Sequence, residues 1–233
     1  VFVGDSVTYG GSYIDNKNLF SSKYCNIFFN KNIRCLNNGI NAWGIHNMSR
    51  FITNYDLYSN REPLKFILVI LPGDEGRNFK SFSDTPFWNN KPKQPSALNE
   101  IVKFVNWKYL VPALQIKNKK GSNKIDSVKK EKVLIQKNTV WDELKYTLNK
   151  TKYPIDIIIS PPRRWFESQT SKEEIKLYDN FLENLSNLEK VNKTCNLYGF
   201  LKNDYEKSFY TDGVHLSNEG HEIWAKKIYE CIN

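Results

Sequence analysis

Short apolar runs alternate along the chain with longer segments in which apolar residues recur every three or four positions. The runs, which are typical of buried strands, are Val1–Val3, Ile33–Leu36, Phe66–Leu71, Ile155–Ile159 and a short segment near Cys195–Gly199. The periodic segments, which are typical of amphipathic helices, are Leu19–Asn30, Met48–Tyr58, Trp141–Leu148, Glu173–Leu188 and the end of the chain from Asn218. This alternation predicts an α/β fold with a central, mostly parallel sheet and helices on both faces.

The length of 233 residues suits one α/β domain. We therefore expect a single domain over 1–233, built as a flavodoxin-like three-layer sandwich. The pattern is least regular over about 79–138, where we predict a helix around Leu98–Tyr109. This region also holds seven lysines between positions 117 and 132, against Asp126 and Glu131. We expect a basic insertion or lid there.

The composition says little about partners. A formal net charge of +9 suggests an anionic partner such as an acidic polysaccharide or a nucleic acid. The lysine run lacks interleaved aromatic residues, so we expect a solvated loop there and no nucleic-acid partner. No apolar run reaches 18 residues, so we expect no transmembrane segment. Because Val1 already lies in an apolar run, we expect the natural chain to begin upstream, and the sequence assigns neither compartment nor oligomeric state.

The chain has four cysteines, at positions 25, 35, 195 and 231, and none of them forms a C-x-x-C pair. The three histidines do not lie at zinc-ligand spacing from them. We expect buried free thiols rather than disulfides, and neither a metal site nor an organic cofactor.

Two polar segments at predicted strand ends carry the candidate chemistry. Gly4-Asp5-Ser6 follows the first strand, where a serine at a helix start would expose its hydroxyl, although the same triplet is also an ordinary turn. Asp212-Gly213-Val214-His215 precedes the last helix, and an Asp three residues before a His is able to orient the imidazole. Histidine activates a serine hydroxyl near neutral pH. Together the two segments favour a Ser6–His215–Asp212 triad.

The same segments resemble the SGNH/GDSL hydrolases. Gly4-Asp5-Ser6-Val7-Thr8-Tyr9-Gly10 is similar to the first block of that family, and the stretch from Asp212 to His221 is similar to its last block. Asn38-Gly39-Ile40-Asn41 resembles the second block. The resemblance implies that Ser6 is the nucleophile of an ester hydrolase. It also implies that the N–H groups of Ser6 and Gly39 stabilise the oxyanion.

The third block departs from the family pattern. The family has an asparagine after the central strand, whose amide donates into the oxyanion hole, whereas this chain has Asp74 at the aligned position. An ionised carboxylate cannot donate a hydrogen bond. Three alternatives follow: Asn78 turns back into the site, Asp74 is held neutral, or the hole consists of the Ser6 and Gly39 N–H groups alone. We favour Asn78.

Other residues at strand ends are weaker candidates. Arg163 and Arg164 follow the fourth predicted strand and would meet a carboxylate or phosphate of a substrate, while Trp165 would stack on a sugar ring. We expect His221 to be structural and His46 to lie on the surface without a partner. The function that we predict is hydrolysis of a small-molecule or glycan ester, with an O-acetyl ester on a carbohydrate favoured. The alternatives are a glycan O-acetyltransferase and a catalytically impaired glycan-binding module.

Overall fold

The computed structural model describes most of the chain. The described residues are 1–11, 13–27, 33–60, 62–77, 139–167, 170–210 and 212–233, which belong to one compact unit. The predicted insertion over 79–138 lies outside the described residues, together with its lysine run and its helix around Leu98–Tyr109. Asn78 lies outside them as well.

The strands of the described residues form one parallel sheet. They are β1 (Phe2–Gly4), β2 (Asn37–Gly39), β3 (Phe66–Ile70), β4 (Ile155–Ile159) and β5 (Lys193–Asn196), in the spatial order β2-β1-β3-β4-β5. Each neighbouring pair is parallel. The prediction of a mostly parallel α/β sheet is therefore confirmed.

The second strand lies later in the chain than its apolar run indicated. Ile33–Leu36 was expected, but the ladder with β1 begins at Asn37 and ends at Gly39, opposite Gly4. β2 is an edge strand, so its residues need not be apolar on both faces. Gly39 also allows a close approach that no other residue permits, because a Cβ atom there would lie 2.0 Å from the backbone nitrogen of Tyr9.

The helices alternate with the strands. They are α1 (Ser6–Tyr9), α2 (Phe20–Ile27), α3 (Ile45–Thr53), α4 (Tyr55–Tyr58), α5 (139–150), α6 (Lys172–Ser186), α7 (Leu197–Phe200), α8 (Tyr205–Ser208) and α9 (Asn218–Ile232), with short 3-10 turns at Asn16–Asn18, Asp74–Gly76 and Arg163–Trp165. Ser171 caps α6 through a capping box with Glu174. Ser217 caps α9 by accepting a hydrogen bond from the Gly220 N–H.

The sheet buries apolar side chains on both faces. Ile67 and Val69 of β3 pack in one cluster with residues of α2 and α9. Phe66, Leu68 and Ile70 of the same strand pack in a second cluster with residues of α3, α5 and α6. This alternation along a single strand places helices on both sides of the sheet. The three-layer, flavodoxin-like architecture is confirmed.

The cysteines form disulfides, so the expectation of free thiols was wrong. Cys25 of α2 is bonded to Cys35 just before β2, and Cys195 of β5 is bonded to Cys231 of α9. The Cα atoms of each pair lie 5.8 Å apart. Sequence spacing could not reveal these pairs, because the fold of β5 beneath α9 brings residues together that lie 36 positions apart.

His221 is a buried structural residue on the face of the sheet that α2 and α9 cover. Its side chain is fully buried, and its Nδ1 accepts a hydrogen bond from the Phe20 N–H at 3.2 Å. The imidazole also stacks on the Phe20 ring. Burial, together with the positive charge of Lys23, lowers the pKa of His221 to about 4. His221 therefore joins α9 to α2 as a neutral imidazole.

The longer disulfide loop should contribute more to stability. Replacing Cys195 and Cys231 by alanine should lower the free energy of unfolding by about 4 kcal/mol, and replacing Cys25 and Cys35 by about 3 kcal/mol, because a disulfide restricts the unfolded chain more when it closes a longer loop. Denaturant unfolding of both double variants measures this. A reducing agent should destabilise the wild type and leave a variant that lacks both disulfides unchanged. A wild type that is insensitive to reduction would argue against the two bonds.

Acid should destabilise the protein through His221. The unfolded chain takes up a proton on this histidine below its ordinary pKa of 6.5, whereas the folded protein does so only near pH 4. Stability is thus lost as the pH falls from 6.5 to 4, by about 2 kcal/mol between pH 7 and pH 4.5. His221→Gln should remove this part of the pH dependence, as measured by urea unfolding at both pH values. An unchanged difference between pH 7 and pH 4.5 in the variant would contradict the assignment.

Candidate active site

Ser6 is presented by a tight turn between β1 and α1. Asp5 is the N-cap of α1, and its Oδ1 accepts a hydrogen bond from the Val7 N–H at 2.9 Å. Gly4 ends the strand where a Cβ atom would lie 2.0 Å from the Thr8 Oγ1. The strand can therefore turn directly into the helix, which leaves Ser6 as the first helical residue at the carboxyl edge of the sheet. This is the position that the sequence predicted.

Asp212 and His215 lie in a loop that hydrogen bonds within itself; we call residues 212–216 the acid–base loop. One oxygen of Asp212 accepts the N–H groups of Val214 and His215, each at 2.9 Å. The other oxygen lies 2.6 Å from the His215 Nδ1. Gly213 has a φ of 71°, a left-handed conformation that glycine adopts without strain. The loop thus fixes the imidazole against the carboxylate.

The two loops meet in space. The His215 Nε2 lies 3.0 Å from the Ser6 Oγ, across 209 positions of sequence. Asp212, His215 and Ser6 therefore form a continuous hydrogen-bonded line, with Nδ1 at one end of the imidazole and Nε2 at the other. This arrangement leaves Nε2 as the acceptor for a serine proton when Nδ1 carries the ring proton.

Asp212 is adapted to remain ionised. Burial alone would raise the pKa of this carboxyl, but the hydrogen bonds from Val214 and from both the ring and the backbone of His215 outweigh it. The net effect lowers the pKa of Asp212 below its ordinary value. Its side chain is half exposed, so the hydrogen bonds rather than a dry environment maintain the negative charge.

Comparison with solved structures identifies the fold. Similar structures are the lipase Lip_vut3 from a goat rumen metagenome (12% identity, TM-score 0.55), a member of the lipolytic protein G-D-S-L family from Veillonella parvula (13%, 0.52) and a family 3 carbohydrate esterase from Clostridium thermocellum (13%, 0.51). The alignments cover 98–99% of this chain and 92–95% of those chains. No family model and no curated protein matches the sequence.

The chain shares the fold of these lipase, G-D-S-L family and carbohydrate esterase structures. The predicted resemblance is thereby confirmed at the level of the fold, and over nearly the whole length of the chain. Within the described ranges we find no helix with the length and hydropathy that a bilayer crossing requires. Nor do those ranges contain a group of three or more His, Cys, Asp or Glu residues arranged to hold a metal ion.

The backbone donors expected for an SGNH oxyanion hole are only partly free. The Gly39 N–H donates to the side-chain oxygen of Asn37 at 2.9 Å. Asn37 in turn donates to the Thr8 carbonyl and the Ser21 hydroxyl, which ties β2 to α1 and α2. The Ser6 N–H belongs to the first turn of α1, where helix geometry provides no intrahelical acceptor. Ser6 is thus the better placed of the two donors.

Asp74 is not oriented as an oxyanion donor. The residue is fully buried, and its Oδ2 accepts the Leu71 N–H at 2.8 Å. Its Oδ1 lies 3.1 Å from the Nη1 of Arg77. Burial raises the pKa of Asp74 well above its ordinary value, and the nearby Asp5 carboxylate raises it further. The side chain is therefore engaged within the protein, while the favoured donor, Asn78, lies outside the described residues.

Arg77 was missed by the sequence analysis. Its Nη1 lies 2.8 Å from Asp5 Oδ2 and 3.1 Å from Asp74 Oδ1, so one guanidinium joins the serine turn to the loop after β3. Both carboxylates are fully buried, and Arg77 supplies the cation that they need. The signal that could have revealed it is the Asp74-x-x-Arg77 spacing within one short turn.

The weaker site candidates are separated by the structure. Arg163 lines a cavity of about 660 Å³ together with Asp212 and Gly213 of the acid–base loop. Trp165 instead packs against Tyr178 and Tyr198 and lines a different groove of about 280 Å³. His46, which we expected to lack a partner, contacts the carboxylate of Glu143. The prediction that it lies free on the surface was therefore wrong.

Removing Arg77 should destabilise the serine turn. Arg77→Gln leaves two buried carboxylates without their cation, and we expect the free energy of unfolding to fall by about 2–4 kcal/mol. The loss should grow as the pH rises, because Asp74, whose pKa burial raises, then ionises without its cation. Adding Asp74→Asn should recover part of the loss by removing one of the like charges. Urea unfolding measures all three proteins, and a double variant less stable than Arg77→Gln would contradict this account.

Proposed function

We propose that this protein is a serine esterase in which Ser6 is the nucleophile, His215 the general base and Asp212 the residue that orients the imidazole. The observation that carries the proposal is the 3.0 Å approach of His215 Nε2 to Ser6 Oγ, backed by the 2.6 Å contact between Nδ1 and Asp212. Serine requires such a base, because its hydroxyl is a weak nucleophile at neutral pH. The same fold occurs in solved structures described as a lipase and a carbohydrate esterase.

The reaction follows from these contacts. Ser6 Oγ attacks the ester carbonyl carbon while His215 Nε2 takes the serine proton, and Asp212 stabilises the resulting imidazolium. The carbonyl oxygen becomes an oxyanion next to the Ser6 N–H. The C–O bond of the alcohol then breaks, and the leaving oxygen receives the proton from His215. Water, deprotonated by His215, then attacks the acyl carbon, the bond to Ser6 Oγ breaks, and His215 returns the proton to Ser6 as the acid leaves.

We favour an O-acetyl ester on a carbohydrate as the substrate. The cavity of about 660 Å³ next to Asp212 has the volume that a small sugar needs. One structure of the same fold is described as a carbohydrate esterase. A glycan O-acetyltransferase would share the acyl-enzyme and differ only in the acceptor.

A second candidate is a glycan-binding module with impaired catalysis. The observations in its favour are the engaged Gly39 N–H and the inward orientation of Asp74, which leave the Ser6 N–H as the free candidate donor among the described residues. Removing one donor from an oxyanion hole typically costs about 10²–10³ in rate. Slow turnover with intact sugar binding would favour this candidate.

Replacing the serine should abolish turnover. With p-nitrophenyl acetate and with an O-acetylated sugar, Ser6→Ala should lower kcat about 10³-fold or more, because the acyl-enzyme can no longer form. Ser186→Ala is the matched control: its hydroxyl is exposed on α6 and bonds only the local Glu183 carbonyl. The assay is repeated with a sugar acceptor present to detect acyl transfer. Turnover that survives Ser6→Ala unchanged would reject the mechanism.

A further inference from the structure

The cavity beside the acid–base loop is rich in guanidinium groups. Its walls include Arg77, Arg163 and Arg164, together with Pro72 and Pro162, and two carboxylates, Glu167 and Asp212. Asp212, which contacts the His215 imidazole, is part of its wall, whereas Ser6 and His215 are not. We therefore take a group bound there to be a part of the substrate remote from the ester. This inference therefore rests on the proposed esterase site and concerns which esters it accepts.

The position of Arg163 is fixed relative to the acid–base loop. Its N–H donates to the Gly213 carbonyl at 2.8 Å, which joins the turn after β4 to the loop that holds Asp212. Gly213 suits this position because its φ of 71° is a left-handed conformation in which a residue with a side chain would be strained. The backbone of Arg163 is therefore fixed next to Asp212 and His215.

Two of the arginines keep donors for a ligand. Arg163 is held through Nε by Glu167 at 3.0 Å, and Arg164 is held through Nε by Glu174 at 3.0 Å. A guanidinium carries five N–H donors, so the donors on the Nη atoms remain after these contacts. Arg77 also keeps donors on its other nitrogens, but its charge already compensates two buried carboxylates, those of Asp5 and Asp74. The ligand-binding donors that we consider are therefore those of Arg163 and Arg164.

Such donors match a carboxylate. Guanidinium groups bind carboxylates through paired, charge-assisted hydrogen bonds, which are stronger than bonds between neutral groups. The carboxylates of Glu167 and Glu174 hold the two arginine side chains in place through Nε. The Nη atoms of both guanidinium groups are then left to bind a ligand. The net charge of +9 also favours the approach of anionic molecules. We propose that this cavity binds the carboxylate of an acylated sugar acid, which makes the protein selective for acidic esters.

The test compares two substrates that differ only in this charge: an O-acetylated methyl galacturonoside and its methyl ester, with acetate release as the readout. The wild type should have a kcat/KM about tenfold or more higher for the acid. The variant Arg163→Gln/Arg164→Gln should lose this preference, because its KM for the acid rises toward its KM for the methyl ester. High salt should weaken the preference of the wild type.

Arg50→Gln is the matched control. Arg50 is as exposed as Arg164, at 67%, and is likewise held through Nε by a glutamate, but it lies on α3 and does not line the cavity. This variant should keep the preference for the acid. A wild type without a preference would overturn the subsite. So would a preference that survives in the arginine double variant.

Binding to Ser6→Ala separates this inference from the esterase proposal. Calorimetric titration with the unacetylated galacturonoside and its methyl ester should show tighter binding of the acid, and the arginine substitutions should remove the difference. If neither acetylated sugar is hydrolysed but acid binding depends on the arginines, the esterase proposal fails and the subsite stands. If the acid binds no tighter than its ester, the subsite fails whatever the turnover.

Discussion

The contact between the Ser6 hydroxyl and the His215 imidazole is the interaction on which the rest of the structure depends. It joins the first turn of the chain to the last loop, and nothing local to either segment could bring them together. The parallel sheet presents Ser6 at its carboxyl edge, while α9 packs on α2 over the same face. His221 and the Cys195–Cys231 bond then hold α9 to α2 and β5. These contacts fix the position of α9, which follows the acid–base loop, and so help to hold His215 next to Ser6.

The carboxylates near the site are stabilised in two different ways. Asp212 is half exposed, and its charge is supported by hydrogen bonds that lower its pKa. Asp5 and Asp74 are fully buried and share the Arg77 guanidinium, and burial raises the pKa of Asp74. In the proposed reaction the exposed carboxylate would compensate an imidazolium, whereas the buried pair fixes the turn that carries Ser6. One cation, Arg77, therefore supports the conformation of that turn.

Much of the fold was predictable because its strands are buried on both faces. Phe66–Ile70 is apolar throughout and Ile155–Ile159 is apolar except for Asp156, so these apolar runs located both strands. β2 was misplaced, because an edge strand of Asn37, Asn38 and Gly39 has no apolar pattern and is defined by backbone pairing to β1. The disulfides escaped prediction for a related reason, since they depend on which elements lie side by side rather than on spacing.

The candidate site was predictable where a motif fixes local geometry. The serine turn and the Asp212–His215 spacing each specify a short segment, so both were found from the residues. Arg77 and the separation of Arg163 from Trp165 depend on tertiary packing, and a single sequence gives no such information. The Gly39 donor was expected from resemblance, yet the Asn37 side chain takes its N–H in this structure.

The most direct test of the central claim is a crystal structure of the protein after reaction with a fluorophosphonate. The account expects a phosphorus–oxygen bond to Ser6 Oγ, with the phosphoryl oxygen near the Ser6 N–H and His215 Nε2 still within hydrogen-bonding distance of the adduct. Modification at another residue, or an unmodified Ser6 with His215 turned away from it, would contradict the account.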